Sequence, residues 1–368
     1  MKKVITPVGL SIFQNYFQES EDYKEVYEHL DGKAFSEWDN YRKTTTSLKK
    51  SVFSWSKGKH HASAEIKSLL KISNYYKQEK EIEVFLLASD SILSVLAAEI
   101  IKEWFEEYGG FLIDFDMVEG KGIIDGLQIE DDYLFRTKAM KNLIRRVEEI
   151  SDGYYGNVIF NITGGYKATV PYLTLMAQVN GAVTHYIFEN TDALITIPLL
   201  PLDIDWKLFE DNWHLFLQLE DGIANWLKFQ SKHPKLNEKI KDLIEVVDNF
   251  AMLSGIGQIF WNRYKSRFAF YYAIPAVWEK IKKDKGLKRL IKQKLWNEEL
   301  RKVKTEIKNN HKVWDDGDNQ LRVLYFVKGE KIYIYEAFTE HDRYEKFLEK
   351  PFREPPLENF QVYRVEKE

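Results

Sequence analysis

Residues 157–167 constrain the fold of this chain more than any other segment. The apolar run at 158–160 predicts a buried strand, and the sequence Asn-Ile-Thr-Gly-Gly-Tyr-Lys at 161–167 follows it before a helical pattern begins. A strand that turns on two glycines into a helix N-terminus, with a lysine in the first turn, is suited to holding phosphate. The spacing matches neither G-x-x-x-x-G-K-[ST] nor G-x-G-x-x-G, so a plain tight turn is the alternative.

Strand and helix patterns alternate from residue 1 to about residue 200. Apolar residues recur every three or four positions in 91–108 and in 133–150, which predicts two amphipathic helices. The alternation indicates an α/β fold with a mostly parallel sheet, and a polar, helical insertion occupies about residues 21–80. The predicted strands are 4–8, 83–88, 111–117, 157–162, 182–188 and 193–197.

Small, polar or glycine residues follow four of these strands, at 6–11, 88–91, 119–120 and 161–167. Ligands of parallel sheets bind beyond the carboxyl ends of the strands, so this repetition favours a ligand site. The Ser-Asp-Ser sequence at 89–91 is also an ordinary helix N-cap, and the two roles are compatible.

Composition narrows the functional classes. The absence of cysteine excludes disulfides, thiolate zinc sites and cysteine nucleophiles, which fits a reducing compartment. The longest apolar stretch, 193–202, contains two prolines and is far shorter than the roughly 20 residues that span a bilayer. We therefore expect a cytoplasmic protein without a membrane partner. His60 and His61 with Glu65 have metal-ligand spacing, but a surface helix is the favoured interpretation, and neither a metal nor a cofactor is predicted.

The pattern changes after a boundary at 198–205. Residues 203–262 read as a helical linker or dimerisation segment without strands, and from residue 263 a small α+β domain is predicted. There a strand at 268–274 precedes basic helices, and runs at 321–327 and 331–338 around Gly329 predict a hairpin buried on both faces. The apolar positions assigned to helix packing or dimer contacts in the linker are Ile240, Leu243, Ile244, Val247 and Phe250.

Residues 279–312 carry thirteen Lys or Arg against five acids, on a chain whose net charge is −4. Apolar residues recur at helical spacing among them, so the basic residues share one face, as an RNA or ribosome contact requires. A solvated helix face is the alternative. The predicted RNA or ribosome contacts are Lys288, Arg289 and Lys292.

The first segment resembles the CARF domains of type III CRISPR systems in Ile-Thr-Pro-Val-Gly-Leu-Ser at 5–11, Ala-Ser-Asp-Ser at 88–91 and above all in 161–167. The resemblance implies a Rossmann-like CARF domain at 1–202 that forms a homodimer and binds a cyclic oligoadenylate, most favourably cyclic tetra-adenylate, on its two-fold axis. The insertion is long for that family and could move the lid over the ligand. The implied ligand contacts are Pro7, Gly9, Ser11, Ser89, Thr163, Gly164, Gly165 and Lys167.

Residues 263–368 resemble a RelE-type mRNA interferase. The likeness rests on the order of a first strand, two Lys-rich helices, the strand from Leu321, the Gly329 turn and the sequence Ala-Phe-Thr-Glu-His-Asp-Arg-Tyr at 337–344. A HEPN ribonuclease motif, R-x(4 to 6)-H, is missing. The Glu-Ile-Lys sequence at 306–308 falls in a predicted helical stretch, unlike the strand-borne acids of a PD-(D/E)xK nuclease. Together the halves resemble CARF-RelE fusion effectors, a ribosome-dependent group associated with the ribosomal stalk.

Metal-independent RNA cleavage needs a base for the ribose 2′-OH, charge stabilisation at the phosphorane and an acid for the 5′-oxygen. Arg322 can offer a guanidinium to the phosphate, and the imidazole of His341, oriented by Asp342, can serve as acid or base. Tyr344 could instead stack on a base or belong to the helix core. The predicted catalytic residues are Arg322, His341, Arg343, Tyr344 and Lys312.

The resulting hypothesis is a cyclic oligoadenylate-activated, ribosome-dependent endoribonuclease of CRISPR antiviral defence that cleaves mRNA and inhibits translation. The alternative is a non-enzymatic regulator in which the CARF domain controls a nucleic-acid-binding, winged-helix C-terminal domain that needs neither Arg322 nor His341. A third possibility is that the CARF domain cleaves its own ligand near Lys167, Thr163 or Ser11, and the residues do not decide this.

Overall fold

The computed structural model describes all residues except 80, 128–131, 189–190, 234–237, 316 and 318–319. They divide into two compact units, Met1–Arg263 (unit 1) and Tyr264–Glu368 (unit 2). Within the described residues, no helix combines the length and the apolar character needed to cross a bilayer.

A mostly parallel sheet forms the centre of unit 1. Its strand order is β3-β2-β1-β5-β6-β7 with β4 beside β2, and the neighbours run parallel except for the antiparallel pair β6 and β7. The mixed α/β fold with a parallel sheet is therefore confirmed, although β3 is shorter than predicted and β4 was missed. The strands are β1 (Lys2–Pro7), β2 (Ile82–Ser89), β3 (Leu112–Asp114), β4 (Ile123–Ile124), β5 (Val158–Asn161), β6 (Val183–Ile187) and β7 (Leu194–Ile197).

Helices bury both faces of this sheet, which is why β1, β2 and β5 read as nearly continuous apolar runs. One apolar cluster includes Leu48, Ile66 and Trp104, and a second on the other face includes Leu143 and Met176. The helices up to residue 180 are α1 (Ser11–Glu19), α2 (Lys24–Leu30), α3 (Arg42–Ser56), α4 (Ala64–Tyr75), α5 (Ile92–Tyr108), α6 (Asp132–Leu134), α7 (Met140–Ser151) and α8 (Val170–Asn180), with a π turn Phe135–Ala139 and 3-10 turns Phe35–Tyr41 and Lys167–Thr169.

The segment 203–262 is not purely helical, and the prediction of no strands there was wrong. It contains α9 (Trp206–Asp221), β8 (Ile223–Ala224), α10 (Trp226–Lys232), α11 (Glu238–Lys241), β9 (Ile244–Val247), β10 (Phe250–Leu253) and α12 (Gly255–Lys265). The strands pair antiparallel in the order β8-β10-β9.

Turn chemistry explains this error. Asp248 and Asn249 join β9 to β10 with φ values of 49° and 63°. A two-residue turn with two positive φ values is the type I′ turn of hairpins, and Asn and Asp tolerate it. Ile244 and Val247, which were assigned to a helical stripe, are therefore strand residues.

Unit 2 is built on a six-stranded sheet with the order β12-β13-β14-β15-β11-β16. One face packs against α13 and α14 through Trp278, Leu287 and Ile291, and the other packs against Tyr344 and Phe360. Its elements are β11 (Phe268–Ala273), α13 (Pro275–Lys283), α14 (Lys285–Gln293), α15 (Glu298–Lys304), β12 (Thr305–Lys308), β13 (His311–Asp315), β14 (Arg322–Lys328), β15 (Lys331–Phe338), α16 (His341–Leu348) and β16 (Gln361–Glu366), with a 3-10 turn Leu357–Asn359.

The hairpin around Gly329 is confirmed, because β14 and β15 pair antiparallel and both of their faces are largely buried. A second hairpin, β12 with β13, was missed. Asn309 and Asn310 form its turn with φ values of 46° and 67°. The helical assignment of residues 306–308 was therefore wrong, since they lie in the edge strand β12.

Candidate functional site

The 161–167 turn lies at the carboxyl end of β5, beside the end of β1. Gly165 has a φ of 86°, and a Cβ there would overlap the Cβ of Pro7 and lie 3.0 Å from its carbonyl carbon. Ile187 N donates to Thr163 Oγ1 at 3.1 Å. The Thr163 hydroxyl thus holds the turn to β6, and Gly165 allows its backbone to pack on β1.

A buried carboxylate occupies the centre of this region. Glu65, in the first turn of α4, accepts from Gly9 N at 2.8 Å through Oε1 and from the Ser11 hydroxyl at 2.9 Å through Oε2. A Cβ on Gly164 would overlap the same carboxylate. Glu65 is fully buried, so its assignment to a surface helix was wrong. We call Gly9, Ser11 and Gly164 the Glu65 cradle.

Helix α4 is tied to the strand ends at further points. Ala64 N donates to Ser11 Oγ at 3.0 Å, and Asn161 Nδ2 donates to Ser68 Oγ at 2.8 Å. His60 and His61, which precede the helix, are exposed to solvent, whereas Glu65 is buried. The insertion therefore reaches over the predicted ligand site through α4.

The end of β2 presents a capped helix. Ser91 is the N-cap of α5 and accepts from Ser94 N at 3.3 Å, while the Ser89 hydroxyl lies 3.1 Å from that of Ser91. Asp90 accepts from Gly126 N at 2.9 Å, and burial raises the pKa of its carboxyl against the opposing effect of that hydrogen bond. The capping role foreseen for this trio is thus present.

Lys167 and a small pocket lie on two further sides of the predicted site. Lys167 is exposed at the start of the 3-10 turn before α8. A small pocket between the ends of β1 and β2 is lined by Pro7, Ser89, Tyr166 and Thr169 together with apolar side chains. Of the eight predicted contacts, Pro7 and Ser89 line this pocket, whereas Gly9, Ser11 and Gly164 contact Glu65.

In unit 2, Arg322 lies at the start of β14 with its side chain buried. Its Nη2 pairs with Asp315 Oδ2 at 2.9 Å across the β13–β14 ladder, and its guanidinium carbon lies 5.7 Å from the ring centroid of Tyr344. Lys308 Nζ also lies 5.7 Å from that centroid and pairs with Glu306 at 2.9 Å. These five residues, which we call the Tyr344 face, share one side of the sheet.

Tyr344 is buried, Lys308 is the cation next to its hydroxyl, and the hydroxyl proton has no acceptor among the described residues. Burial raises the pKa of this phenol, while Lys308 and then Arg322 act in the opposite direction. The hydrogen bond to Glu306 raises the pKa of Lys308. At neutral pH the face therefore presents a neutral phenol between two cations.

Of the other three predicted catalytic residues, His341 lies beside this face, whereas Arg343 and Lys312 do not. The ring of His341 lies 6.0 Å from that of Tyr344, and its exposed Nε2 lies 2.9 Å from Glu345. Arg343 is 74% exposed and pairs with Glu340 at 3.0 Å. Lys312 is exposed opposite Tyr325, whose side chain packs on the α13 and α14 side of the sheet. Arg322, Tyr344 and His341 are brought together, and Arg343 and Lys312 are not.

The basic helix α14 covers the other face of the same sheet. Lys288 is exposed, Arg289 Nε donates to Gln293 at 2.8 Å, and Lys292 pairs with Glu368. The predicted RNA or ribosome contacts and the Tyr344 face thus lie on opposite sides of the sheet.

Three participants were missed in the sequence. Lys308 was missed because residues 306–308 were predicted to be helical, and Asp315 was missed because no element was predicted there. The Asn309-Asn310 turn was the available signal for the hairpin. Glu65 had no local signal, because its partners lie more than fifty residues away along the chain.

Unit 1 is thus a mixed α/β unit with polar loops at its strand ends. Residues 60–200 match the model of a family described as CRISPR-associated protein (Cas_APE2256). This segment includes α4, β2 to β7 and the 161–167 turn, and it is fewer than half of the residues of the chain. The match agrees with the CRISPR association that the motifs imply for the first segment.

Proposed function

We propose that this protein is a cyclic oligoadenylate-activated, ribosome-dependent endoribonuclease that cleaves mRNA in type III CRISPR antiviral defence. Unit 1, as a homodimer, binds the activator, and unit 2 cleaves the RNA. The family match over 60–200 supports the CRISPR setting, and the polar strand ends of the parallel sheet support a ligand site there.

The Tyr344 face carries the enzymatic half of the proposal. Cleavage of this class attacks the phosphorus with the ribose 2′-oxygen, breaks the bond to the 5′-oxygen and leaves a 2′,3′-cyclic phosphate and a 5′-hydroxyl. Arg322 and Lys308 are the cations for the phosphorane charge. His341 takes the proton from the 2′-hydroxyl as base and then gives it to the leaving 5′-oxygen as acid. Asp315 positions the Arg322 guanidinium, whose planar geometry suits phosphate oxygens.

Tyr344 enters this scheme as a hydrogen-bond donor. Because burial raises the pKa of its phenol, it holds its proton at neutral pH and is a poor base. Its hydroxyl proton has no acceptor among the described residues and can be donated to a phosphate oxygen once RNA arrives. Both Arg322 and Tyr344 are buried, so the substrate complex must expose them, and we propose that the ribosome does so.

The test combines purified ribosomes, mRNA and cyclic tetra-adenylate with mapping of the cut sites. We expect ligand-dependent cleavage by the wild-type chain, loss of cleavage in Arg322→Ala and His341→Ala, and normal cleavage in Lys346→Ala, which changes an exposed residue of α16. Absence of ligand-dependent cleavage by the wild-type protein with ribosomes present refutes the enzymatic half.

A nucleic-acid-binding regulator is the second candidate. The order of the elements from α9 to β10, namely a helix, a strand, two helices and two strands, favours it because winged-helix modules have the same order. The six-stranded sheet of unit 2 departs from the C-terminal winged helix that the sequence suggested. A regulator of this kind binds nucleic acid through residues 206–253 and is indifferent to Arg322 and His341. Gel-shift binding that survives both alanine substitutions, together with no cleavage by the wild-type protein, would select this candidate.

A further inference from the structure

The groups that the sequence assigns to an anionic ligand already hold an anion, the carboxylate of Glu65. Gly9 N and the Ser11 hydroxyl each donate to one of its oxygens, at 2.8 and 2.9 Å. The missing side chain at Gly164 leaves the space that the carboxylate fills. Donors converging on a fully buried oxygen pair are what a phosphate group would use.

Burial of this charge is costly unless it is compensated, because a carboxylate loses its hydration in the interior. Two hydrogen bonds from unit 1 offset that loss, and no Lys or Arg ion pair with Glu65 occurs among the described residues. A second anion beside the carboxylate would meet like-charge repulsion, which costs several kcal/mol at close range. Glu65 and a phosphodiester therefore exclude each other from the Glu65 cradle.

We propose that Glu65 is an internal competitor for the anionic ligand of unit 1: a phosphodiester enters the Glu65 cradle only when the carboxylate leaves. This inference rests on the proposed function for its ligand class, a cyclic oligonucleotide. Glu65, which lies in α4 and outside the strand-end motifs, would then help to set the affinity for the ligand.

Displacement of Glu65 has a structural consequence for α4. Ser11 Oγ accepts from Ala64 N and donates to Glu65, so a ligand that takes Ser11 frees Ala64 N and the Glu65 side chain at the start of the helix, while Ser63 still caps Ile66 N. The next turn is held to the β6–β7 connection by Lys67, which pairs with Asp192 at 3.1 Å. Ligand binding thus loosens the N-terminus of α4 while its remaining contacts keep it on the sheet.

The test uses Glu65→Gln, which keeps the size and an acceptor oxygen but removes the charge. Glu25→Gln, which changes an exposed residue of α2, is the matched control.

Binding of synthetic cyclic tetra-adenylate and, separately, of inorganic pyrophosphate is measured by calorimetry on the full chain, and circular dichroism checks the fold. Glu65→Ala, which removes the carboxylate altogether, repeats the test if Glu65→Gln does not fold. We expect Glu65→Gln to bind about tenfold or more tightly than wild type, with Glu25→Gln unchanged.

The possible results separate the competition by Glu65 from the sensing function. Binding of cyclic tetra-adenylate by the wild-type chain with no gain, or a loss, in Glu65→Gln overturns the competition and leaves the sensing function standing. If no variant binds cyclic tetra-adenylate, the sensing function fails, and the pyrophosphate arm decides on Glu65: a gain in Glu65→Gln supports the competition, and no gain overturns it. In wild type, amide hydrogen exchange in the first turn of α4 is expected to accelerate on ligand saturation, and unchanged exchange there overturns the displacement.

Discussion

Replacing Gly165 with alanine tests whether the 161–167 turn is shaped by its contact with β1. Gly165 has a φ of 86°, where an L-residue costs about 1–2 kcal/mol. The added Cβ would also overlap Pro7 in a strand that is hydrogen-bonded on both sides, and overpacking of this kind costs about 1–3 kcal/mol. The expected loss in the free energy of unfolding of unit 1 is therefore about 2–5 kcal/mol.

Gly181 supplies the matched control. It ends α8 with a φ of 71°, and a Cβ there meets no atom within 4 Å. Gly181→Ala thus carries the backbone strain without the overlap and should cost only about 1–2 kcal/mol. The difference between the two variants, about 1–3 kcal/mol, isolates the contact with Pro7.

Urea denaturation followed by circular dichroism measures both variants against wild type. The two units can unfold separately, so the transition of unit 1 is followed through hydrogen exchange in β1 and β5. Equal losses in Gly165→Ala and Gly181→Ala would show that the turn does not press on β1, and the reasoning would be refuted.

Three further results are expected. Arg322→Ala leaves the Asp315 carboxylate, whose side chain is 11% exposed, without its ion pair. The free energy of unfolding should fall by about 3 kcal/mol, against about 0.5 kcal/mol or less for Lys346→Ala, and similar denaturation midpoints would contradict this. Tyr344→Phe removes a buried hydroxyl whose proton has no acceptor among the described residues, and it should raise stability by about 1 kcal/mol in thermal unfolding while reducing mRNA cleavage. A loss of stability would mean that the contact with Lys308 satisfies the hydroxyl. Burial lowers the pKa of His185 below its ordinary 6.5, so the unfolded chain binds more protons and stability falls as the pH drops from 6.5 towards the folded-state value. Melting temperatures from pH 7.5 to 5 check this, and His185→Gln should flatten the profile whereas Glu25→Gln should not.

Long-range patterns along the chain were sufficient for the larger elements. The parallel strands of unit 1 are buried on both faces, so β1, β2 and β5 appear as apolar runs, and α5 appears as a stripe of period 3.6. The Gly329 hairpin was equally legible, because its strands are long and its turn contains glycine.

The two short hairpins, β9–β10 and β12–β13, could not be predicted in this way. In 244–253 and 305–315, strands of four or five residues are too short to show a period of two, and their apolar positions also fit a helix. The Asp248-Asn249 and Asn309-Asn310 turns were the deciding signal, because two consecutive positive φ values favour these residue types.

By itself, the sequence determined the α/β class, the polar strand ends and the residue types at the 161–167 turn, because these depend on local periodicity and on the conformational freedom of glycine. Only the tertiary structure decided that Glu65 fills the cradle at that turn and that Arg322 and Lys308 meet at Tyr344. It also separated Lys288 and Lys312 from that face. Such placements follow from strand register and helix packing, which join residues far apart in the chain, and no local pattern encodes which distant side chain satisfies a buried donor or charge.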